Sequence, residues 1–419
     1  MARPLGEPAF RQLWLGQAIS SLGDPLQTVA LAWLVLDRTG SAVALSAALL
    51  GMTIPRGALT LFGGALVDRI GPRQVVLWSD TVRAVAVAGL AGLAVAPSFA
   101  LWPWALAAVL AVYGAASGLF APAIQSITPR LVPAAELQSA VAVREATAQM
   151  AVLVGAPLAG AVVAVVGPAA AFGLNAASFG AAAVATRSVP AAQGPRETAD
   201  HDCQVRSGVA TTSAMSGGLR GLLAEAFAGL GVVRQHTWLT ALVLIEAVCN
   251  LVGSGPLTIG LPLLARGPLA AGSAGYGLLL AAAGAGHVVG MLLLAGRRPM
   301  ARRGQRYCLL IVAQAPLFAG LAVAPFWLAL ALLGLSGLLN GVVLVMFLNM
   351  LQTRVEAAVL GRVMGVVSLA FYGLGPVSQA AAGPLVAMVG PGALFGMAGG
   401  VFLLAGLGGL LVPDLVGLE

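Results

Sequence analysis

Long apolar runs separated by short polar punctuation fill the chain from end to end. A helix needs about 20 mainly apolar residues to cross a bilayer. Twelve stretches satisfy that length: 13–36, 42–66, 76–96, 103–126, 143–166, 169–188, 238–264, 274–296, 307–325, 326–350, 364–388 and 391–412. Several carry Gly or Pro, which spans tolerate where neighbouring helices re-satisfy the freed backbone groups. One long polar interruption contains Arg196-Glu-Thr-Ala-Asp-His-Asp202 and a Ser/Thr/Gly run at 207–218. The pattern predicts an N-terminal six-helix bundle (1–188), a cytoplasmic linker (189–236) and a C-terminal six-helix bundle (237–419). The expected fold class is an all-α polytopic membrane protein, with twelve transmembrane helices in two pseudo-symmetric bundles.

Composition excludes the main competing class. Only 9% of the 419 residues are charged and 59% are apolar, with a mean hydropathy of +0.95. Soluble domains carry about 25% charged residues, so a soluble enzyme is ruled out. The net charge of +7 comes from 22 arginines, with no lysine, against 15 acids. No aromatic-interleaved basic patch or nucleic-acid motif accompanies them, and no nucleic-acid partner is expected. Membrane proteins gather arginine in cytoplasmic loops. With the N-terminus inside, the cytoplasmic segments and helix edges hold 18 of the 22 arginines. Arg38 and Arg266 fall outside, and Arg56 and Arg83 fall within spans. This asymmetry predicts cytoplasmic N- and C-termini. Arg3 and Arg11 precede a long apolar run with no small-residue cleavage site, which reads as an uncleaved first span. Cys203, Cys249 and Cys308 are scattered and offer neither a disulfide framework nor metal spacing. The lysine-free, Ala/Gly-rich usage suits a GC-rich bacterial genome, so the expected location is a bacterial inner membrane.

The halves show weak internal similarity. Span 5 contains Gly155-Ala-Pro157-Leu-Ala-Gly160, and span 11 contains Gly373-Leu-Gly-Pro376 and Gly383-Pro384. Short basic loops follow span 2 (Asp68 to Arg73) and span 8 (Arg297 to Arg306). Two six-helix repeats around a central linker describe a secondary transporter whose substrate site lies near the midplane between halves.

The most informative stretch is Gly64-Ala-Leu-Val-Asp68-Arg69-Ile-Gly71-Pro72-Arg73, at the end of span 2. Gly64 permits a close helix crossing, and Gly71-Pro72 makes a tight turn. Asp68 can accept hydrogen bonds from a helix N-terminus or pair with arginine. The stretch resembles the loop 2–3 signature of the major facilitator superfamily, with Gly64, Asp68, Arg69, Gly71 and Arg73 at its glycine, acidic and basic positions. Pro72 departs from it, since a basic residue is usual there. The resemblance implies a gating role for the loop; a positive-inside loop with an ordinary turn is the plainer reading. Further stretches extend the likeness over nearly the whole chain: Asp80-Thr-Val-Arg83, Phe120-Ala-Pro122, Pro129-Arg-Leu-Val-Pro133, Asn175-Ala-Ala-Ser178-Phe179, Gln352-Thr-Arg354 and Gly361-Arg362-Val-Met364. Together they resemble the drug:proton antiporter branch that holds macrolide-efflux and siderophore exporters. Gly155, Pro157 and Gly160 resemble the antiporter motif of span 5, which implies a seal against proton leak between spans 5 and 8. Generic small-residue packing is the alternative. The arginine that many drug antiporters carry in span 4 has no match, because no Arg lies between residues 103 and 126.

An ionisable side chain at the bilayer centre costs about 2.5–3.5 kcal/mol on insertion scales, so each is a functional candidate. Asp24 lies mid-span in helix 1 and Arg56 mid-span in helix 2. They are expected to pair, with Asp24 the proton-titrating acid and Gln27 nearby; a permanent structural ion pair is the alternative. Glu246 in span 7 is a second titratable site, a contact for cationic substrates, or a residue snorkelling to water. His287 in span 8 fits a hydrogen-bonded packing role better than a proton relay. Asn250, Asn340 and Asn349 line the cavity or bond between helices. Asp80, Arg83, Arg130, Arg144 and Glu145 are expected, with Asp68, to form a cytoplasmic charge network, or else a set of weak interfacial salt bridges. Trp33, Phe120, Phe179, Phe347, Phe371 and Tyr372 offer stacking surface.

The favoured function is a proton-coupled exporter of small amphipathic, drug-like compounds, working by alternating access. A dedicated metabolite or siderophore exporter or importer of the same fold is the runner-up. A polytopic membrane enzyme would be expected to cluster acids and histidines at one face, and the three histidines are remote from one another. A transporter-derived sensor would carry an added soluble domain, for which the linker is too short. The expected partners are a small-molecule substrate, protons and the lipid bilayer. No cofactor or metal is expected, no phosphate-binding loop occurs, and a monomer is expected.

Overall fold

The computed structural model describes residues 3–97, 101–190, 230–294, 302–368, 370 and 373–418. These residues are helical throughout, with no strand among them. Most of the polar linker, along with Phe371, Tyr372 and much of the loop after span 8, lies outside the described residues. Without water in the bilayer core, a helix satisfies every backbone N–H and C=O internally, which is why apolar runs of this length fold as helices.

The elements are α1 (Pro8–Thr39), α2 (Ala42–Ile70), α3 (Pro72–Val95), α4 (Trp102–Leu131), α5 (Leu137–Ser188), α6 (Thr237–Gly255), a π turn (Pro256–Gly260), α7 (Leu261–Arg266), α8 (Gly272–Leu294), α9 (Arg303–Gly320), α10 (Phe326–Arg354), α11 (Ala357–Ser368), α12 (Leu374–Leu410) and α13 (Pro413–Val416). Among the described residues, nine helical segments are long and apolar enough to cross a membrane. One of them, Ala134–Ser188, has 55 residues. At 1.5 Å per residue it would run about 80 Å, well over twice a hydrocarbon core of about 30 Å. Gly167 breaks it, with φ 84° and ψ 171°. Gly390 breaks α12 in the same way, with φ 81° and ψ 164°. Both glycines precede a proline and carry positive φ, a region that side-chain-bearing residues rarely enter. Around these breaks the sequence repeats: Val166-Gly-Pro-Ala-Ala-Ala-Phe172-Gly173 against Val389-Gly-Pro-Gly-Ala-Leu-Phe395-Gly396. Phe172 and Phe395 are both fully buried. α9, expected as a span, has 18 residues and is not among the nine; its first turn, Arg303-Gly-Gln-Arg306, is polar.

The chain divides into two compact units, Met1–Asp200 with Gly272–Ala281, and His201–Ala271 with Ala282–Glu419. In the first, α5 packs against α1 and α3, and α4 against α2 and α3. In the second, α12 packs against α6 and α9, and α9 against α10. The first and third long helices of each unit thus pack on its last one, a shared plan that weak sequence similarity only hinted at.

Candidate functional site

The first unit buries its charge where four helices meet. On α3, Asp80 and Arg83 are one turn apart and form an ion pair. Asp80 is fully buried and Arg83 is 5% exposed. From α1, Gln17 Nε2 donates to Asp80 Oδ2 at 3.0 Å. The Arg83 guanidinium lies 4.1 Å from the Phe120 ring centroid on α4 and 4.4 Å from that of Phe179 on α5. Two aromatic faces and one carboxylate therefore hold a cation within an apolar bundle, where stacking and pairing offset its lost hydration. Arg83 Nε keeps no partner among the described residues.

Asp24 stands apart from that pair. It is exposed, and its carboxylate has no hydrogen bond or ion pair among the described residues. At 100° per residue, it and Thr28 lie on roughly the opposite side of α1 from exposed Leu15, Ile19 and Leu22. The acid is therefore exposed on the side of α1 away from those apolar residues. The expected pairing with Arg56 is not made. Arg56 is exposed, and no ion pair joins it to Asp24 among the described residues. Helix rotation decides this: Asp80 reaches Arg83 from one turn away on the same helix, whereas Arg56 would have to reach across from α2.

Polar side chains line the helix face beside Asp24. Gly23 packs directly on Asn175 and Ser178 of α5, with no room for a Cβ. Asn175 Nδ2 donates to Gln27 Oε1 at 3.4 Å, and Ser178 Oγ donates to the Asn175 carbonyl at 2.8 Å. Gln27 is 3% exposed, and its Nε2 has no partner among the described residues.

The span 5 motif reaches two neighbours. A Cβ on Gly155 would meet Pro25 Cγ at 2.9 Å, one residue from Asp24. Gly160 packs on Ser273 and Ala274 at the start of α8, and Ser273 Oγ donates to the Gly160 carbonyl at 3.1 Å. Gly277 abuts the Ala156 carbonyl in the same contact. Pro157, between them, is half-buried.

In the second unit, Glu246 on α6 is 7% exposed and accepts a hydrogen bond from Tyr307 Oη on α9 at 2.7 Å. Burial excludes the snorkelling alternative. Asn250 Nδ2 donates at 3.1 Å to the Glu246 carbonyl on its own helix. His287 on α8 is half-buried. Asn349 accepts from Arg303 Nη1 at 3.2 Å. Arg56 and His287 occupy matching places in the two units: Gly118 on α4 abuts the Arg56 carbonyl, and Gly341 on α10 abuts the His287 carbonyl.

The loop between α2 and α3 is a single residue. Gly71, at φ 94°, ends α2 with its N–H on the Val67 carbonyl. It also precedes Pro72 at the first position of α3, where proline's missing N–H costs nothing. That explains the departure at Pro72. Gly63 packs on Pro122 of α4, beside the expected Gly64, which is half-buried. Arg73 Nη2 donates at 2.7 Å to the Arg187 carbonyl in the last turn of α5. Asp68, Arg69 and Arg130 are exposed. Arg144 pairs with its neighbour Glu145 at 2.8 Å. The charges expected as one network are thus distributed: Asp80 and Arg83 inside, Arg144 half-buried, and Asp68, Arg130 and Glu145 at the surface.

Sequence reasoning missed Gln17 and Tyr307. The available signal was a polar side chain inside an apolar span. Phe120 and Phe179, read as stacking surface for substrate, flank Arg83 instead. Trp33 stacks on Tyr276, with centroids 5.5 Å apart. Two apolar grooves lie away from the charges. One, of about 310 Å³, includes Pro256, Ser378 and Met397; the other, of about 260 Å³, includes Ile70, Trp78 and Val112. Neither contains a charged lining residue.

Repeated helical units, glycine-mediated crossings and isolated intramembrane charges define a polytopic transporter of the major facilitator fold rather than an enzyme. The chain belongs to the family described as transmembrane secretion effector, which it matches over residues 1–407. It is 28% identical over 406 residues to the multidrug efflux pump Tap of Mycobacterium tuberculosis, covering 93% of this chain and 89% of that one. Macrolide efflux protein A of Streptococcus pyogenes is 30% identical over 128 residues, covering 30% of this chain and 31% of that one. In fold, the chain resembles a bacterial homologue of the iron transporter ferroportin, with a TM-score of 0.71, 16% identity and 97% coverage of both chains. The nucleoside transporter NupG gives a TM-score of 0.70 at 13% identity, covering 96% of this chain and 98% of that one.

Proposed function

We propose that the protein is a proton-coupled exporter of small amphipathic, drug-like compounds that works by alternating access across a bacterial inner membrane. The observation that carries this reading is the similarity to the efflux pump Tap along 93% of the chain. Twelve crossings in two bundles of six, joined by the 189–236 linker with both termini in the cytoplasm, complete the arrangement. Asp24 is the proton-carrying acid: it is ionisable, sits mid-span and is exposed, with no donor holding it among the described residues. Glu246, with Tyr307 as its donor, is the second acid. The packing of Gly155 and Gly160 on α1 and α8 suits a seal against proton leak. The α2–α3 turn gates on the cytoplasmic side, through Asp68 and the Arg73 contact with α5.

The test is a substrate panel of ethidium, tetracycline and erythromycin in proteoliposomes with an imposed pH gradient. Accumulation of at least one compound that collapses with the gradient is expected. Transport that ignores the gradient rejects proton coupling. Selective transport of a siderophore would favour the dedicated-exporter reading.

A further inference from the structure

We propose that Arg83 is a shared counter-ion, held between the Phe120 and Phe179 rings, which pairs with Asp80 in this structure and with Asp24 in another conformation. The inference rests on the exporter reading only for its place in a transport cycle. The exchange itself is a property of the protein without substrate.

Both carboxylate oxygens of Asp80 are engaged, one by Arg83 and the other by Gln17. Arg83 is not saturated. A guanidinium carries five N–H donors, and its Nε is buried without a partner. Asp24 is the complementary case, an acceptor without a donor. Gln17 and Asp24 are seven residues apart on α1, two turns and nearly the same face, about 10 Å along the helix. Gln17 touches Asp80, so Asp24 lies above the Asp80 end of the cluster on the same side. Gly23 packs on Asn175 and Ser178, and the next residue of α5 is Phe179, whose ring faces Arg83. One short stretch of α5 therefore contacts both the Asp24 turn of α1 and the guanidinium.

Among the described residues, the charged and titratable groups around Asp24 are Arg83 and Asp80 on α3, Arg56 on α2 and Tyr113 on α4; α5 contributes the neutral Asn175 and Ser178. With a proton on Asp24, the trio of Asp24, Asp80 and Arg83 is neutral, and Arg83 stays on Asp80. When Asp24 releases that proton to solvent on its exposed side, two carboxylates compete for one guanidinium. The rings favour a cation over their faces without fixing where its N–H groups point, so they hold Arg83 while its donors turn. Gln17 keeps one hydrogen bond on Asp80 when Arg83 leaves. The exchange breaks a contact within α3 and makes one between α3 and α1. A proton event at Asp24 is thereby converted into a change in helix contacts.

The test uses the purified full-length protein in lipid nanodiscs without substrate. Infrared pH-difference spectra follow the C=O stretch of protonated carboxyls, and the band lost in Asp24→Asn belongs to Asp24. Asp80→Asn, which frees Arg83, is expected to lower the pH at which that band disappears by about one unit, a tenfold loss of proton affinity. Arg83→Gln is expected to raise it, with Arg83→Lys between; Lys keeps the charge should the Gln variant fail to fold. Arg56→Gln is expected to shift it by much less than Arg83→Gln does. An unshifted band in Asp80→Asn, a shift as large in Arg56→Gln, or no band assignable to Asp24 would each overturn the proposal. Failure of every panel compound to follow a pH gradient would reject the exporter reading while leaving these spectra intact.

Discussion

The Tyr307 hydroxyl donates to the Glu246 carboxylate at 2.7 Å, with both side chains buried between α6 and α9. No other described side chain bonds that carboxylate, so Tyr307→Phe leaves a buried acid without its donor. A loss of about 1–3 kcal/mol is expected. Thermal unfolding of the purified variant in detergent measures it. An unchanged midpoint would show that water replaces the hydroxyl.

Asp24 holds nothing in place, so Asp24→Asn is expected to unfold within about 0.5 kcal/mol of the parent. Its transport should nonetheless lose the drive from an imposed pH gradient. Everted vesicles loaded by that gradient provide the measurement, and full accumulation by the Asn variant contradicts the coupling role.

At the contact of α5 with α8, Gly160 has backbone on its open side. Gly160→Val places a branched side chain against Ser273 and Ala274 and is expected to cost about 1–3 kcal/mol by overpacking. Gly173, where a Cβ meets nothing within 4 Å, is the control. Gly173→Ala should match the parent in unfolding temperature, and the two variants behaving alike would refute the packing assignment.

Asp68 is exposed and makes no side-chain bond among the described residues. Asp68→Asn is expected to leave stability unchanged and to shift the balance of conformers. Cysteine crosslinking across the helix ends beside the α2–α3 turn reads that balance. Equal crosslinking in variant and parent would end the gating role.

Gly167 and Gly390 carry positive φ at matching breaks. Substituting Ala at either is expected to cost about 1–2 kcal/mol, the penalty of a Cβ in the left-handed region. Comparable losses at both sites, measured by thermal unfolding, would mark the two breaks as one repeated device.

Much of the fold was legible because a bilayer leaves the backbone few options. The starts of α2 and α10, at Ala42 and Phe326, coincide with the predicted spans. The breaks that divide α5 and α12 are written as Gly-Pro. Less of the site was legible. Asp80 and Arg83 were placed on one face from their spacing alone, and that spacing makes their pair. Arg56 was assigned to Asp24 because depth along a helix can be counted from sequence. Rotation about the axis cannot be counted when every face is apolar. Gln17 and Tyr307 were passed over for the same reason, since one polar residue in a span does not say what it faces.

Composition and apolar run length alone specify a helical membrane protein, because too few charges remain to cover a soluble surface and lipid admits only backbones that bond themselves. Charge pairing was settled by tertiary packing. Arg83 lies between Phe120 and Phe179, with Asp80 and not Asp24 as its partner, because helix rotation brings side chains from four helices to one point. In a bundle whose helices present apolar surface in all directions, local sequence carries no signal for that rotation; the close contacts of small residues decide it.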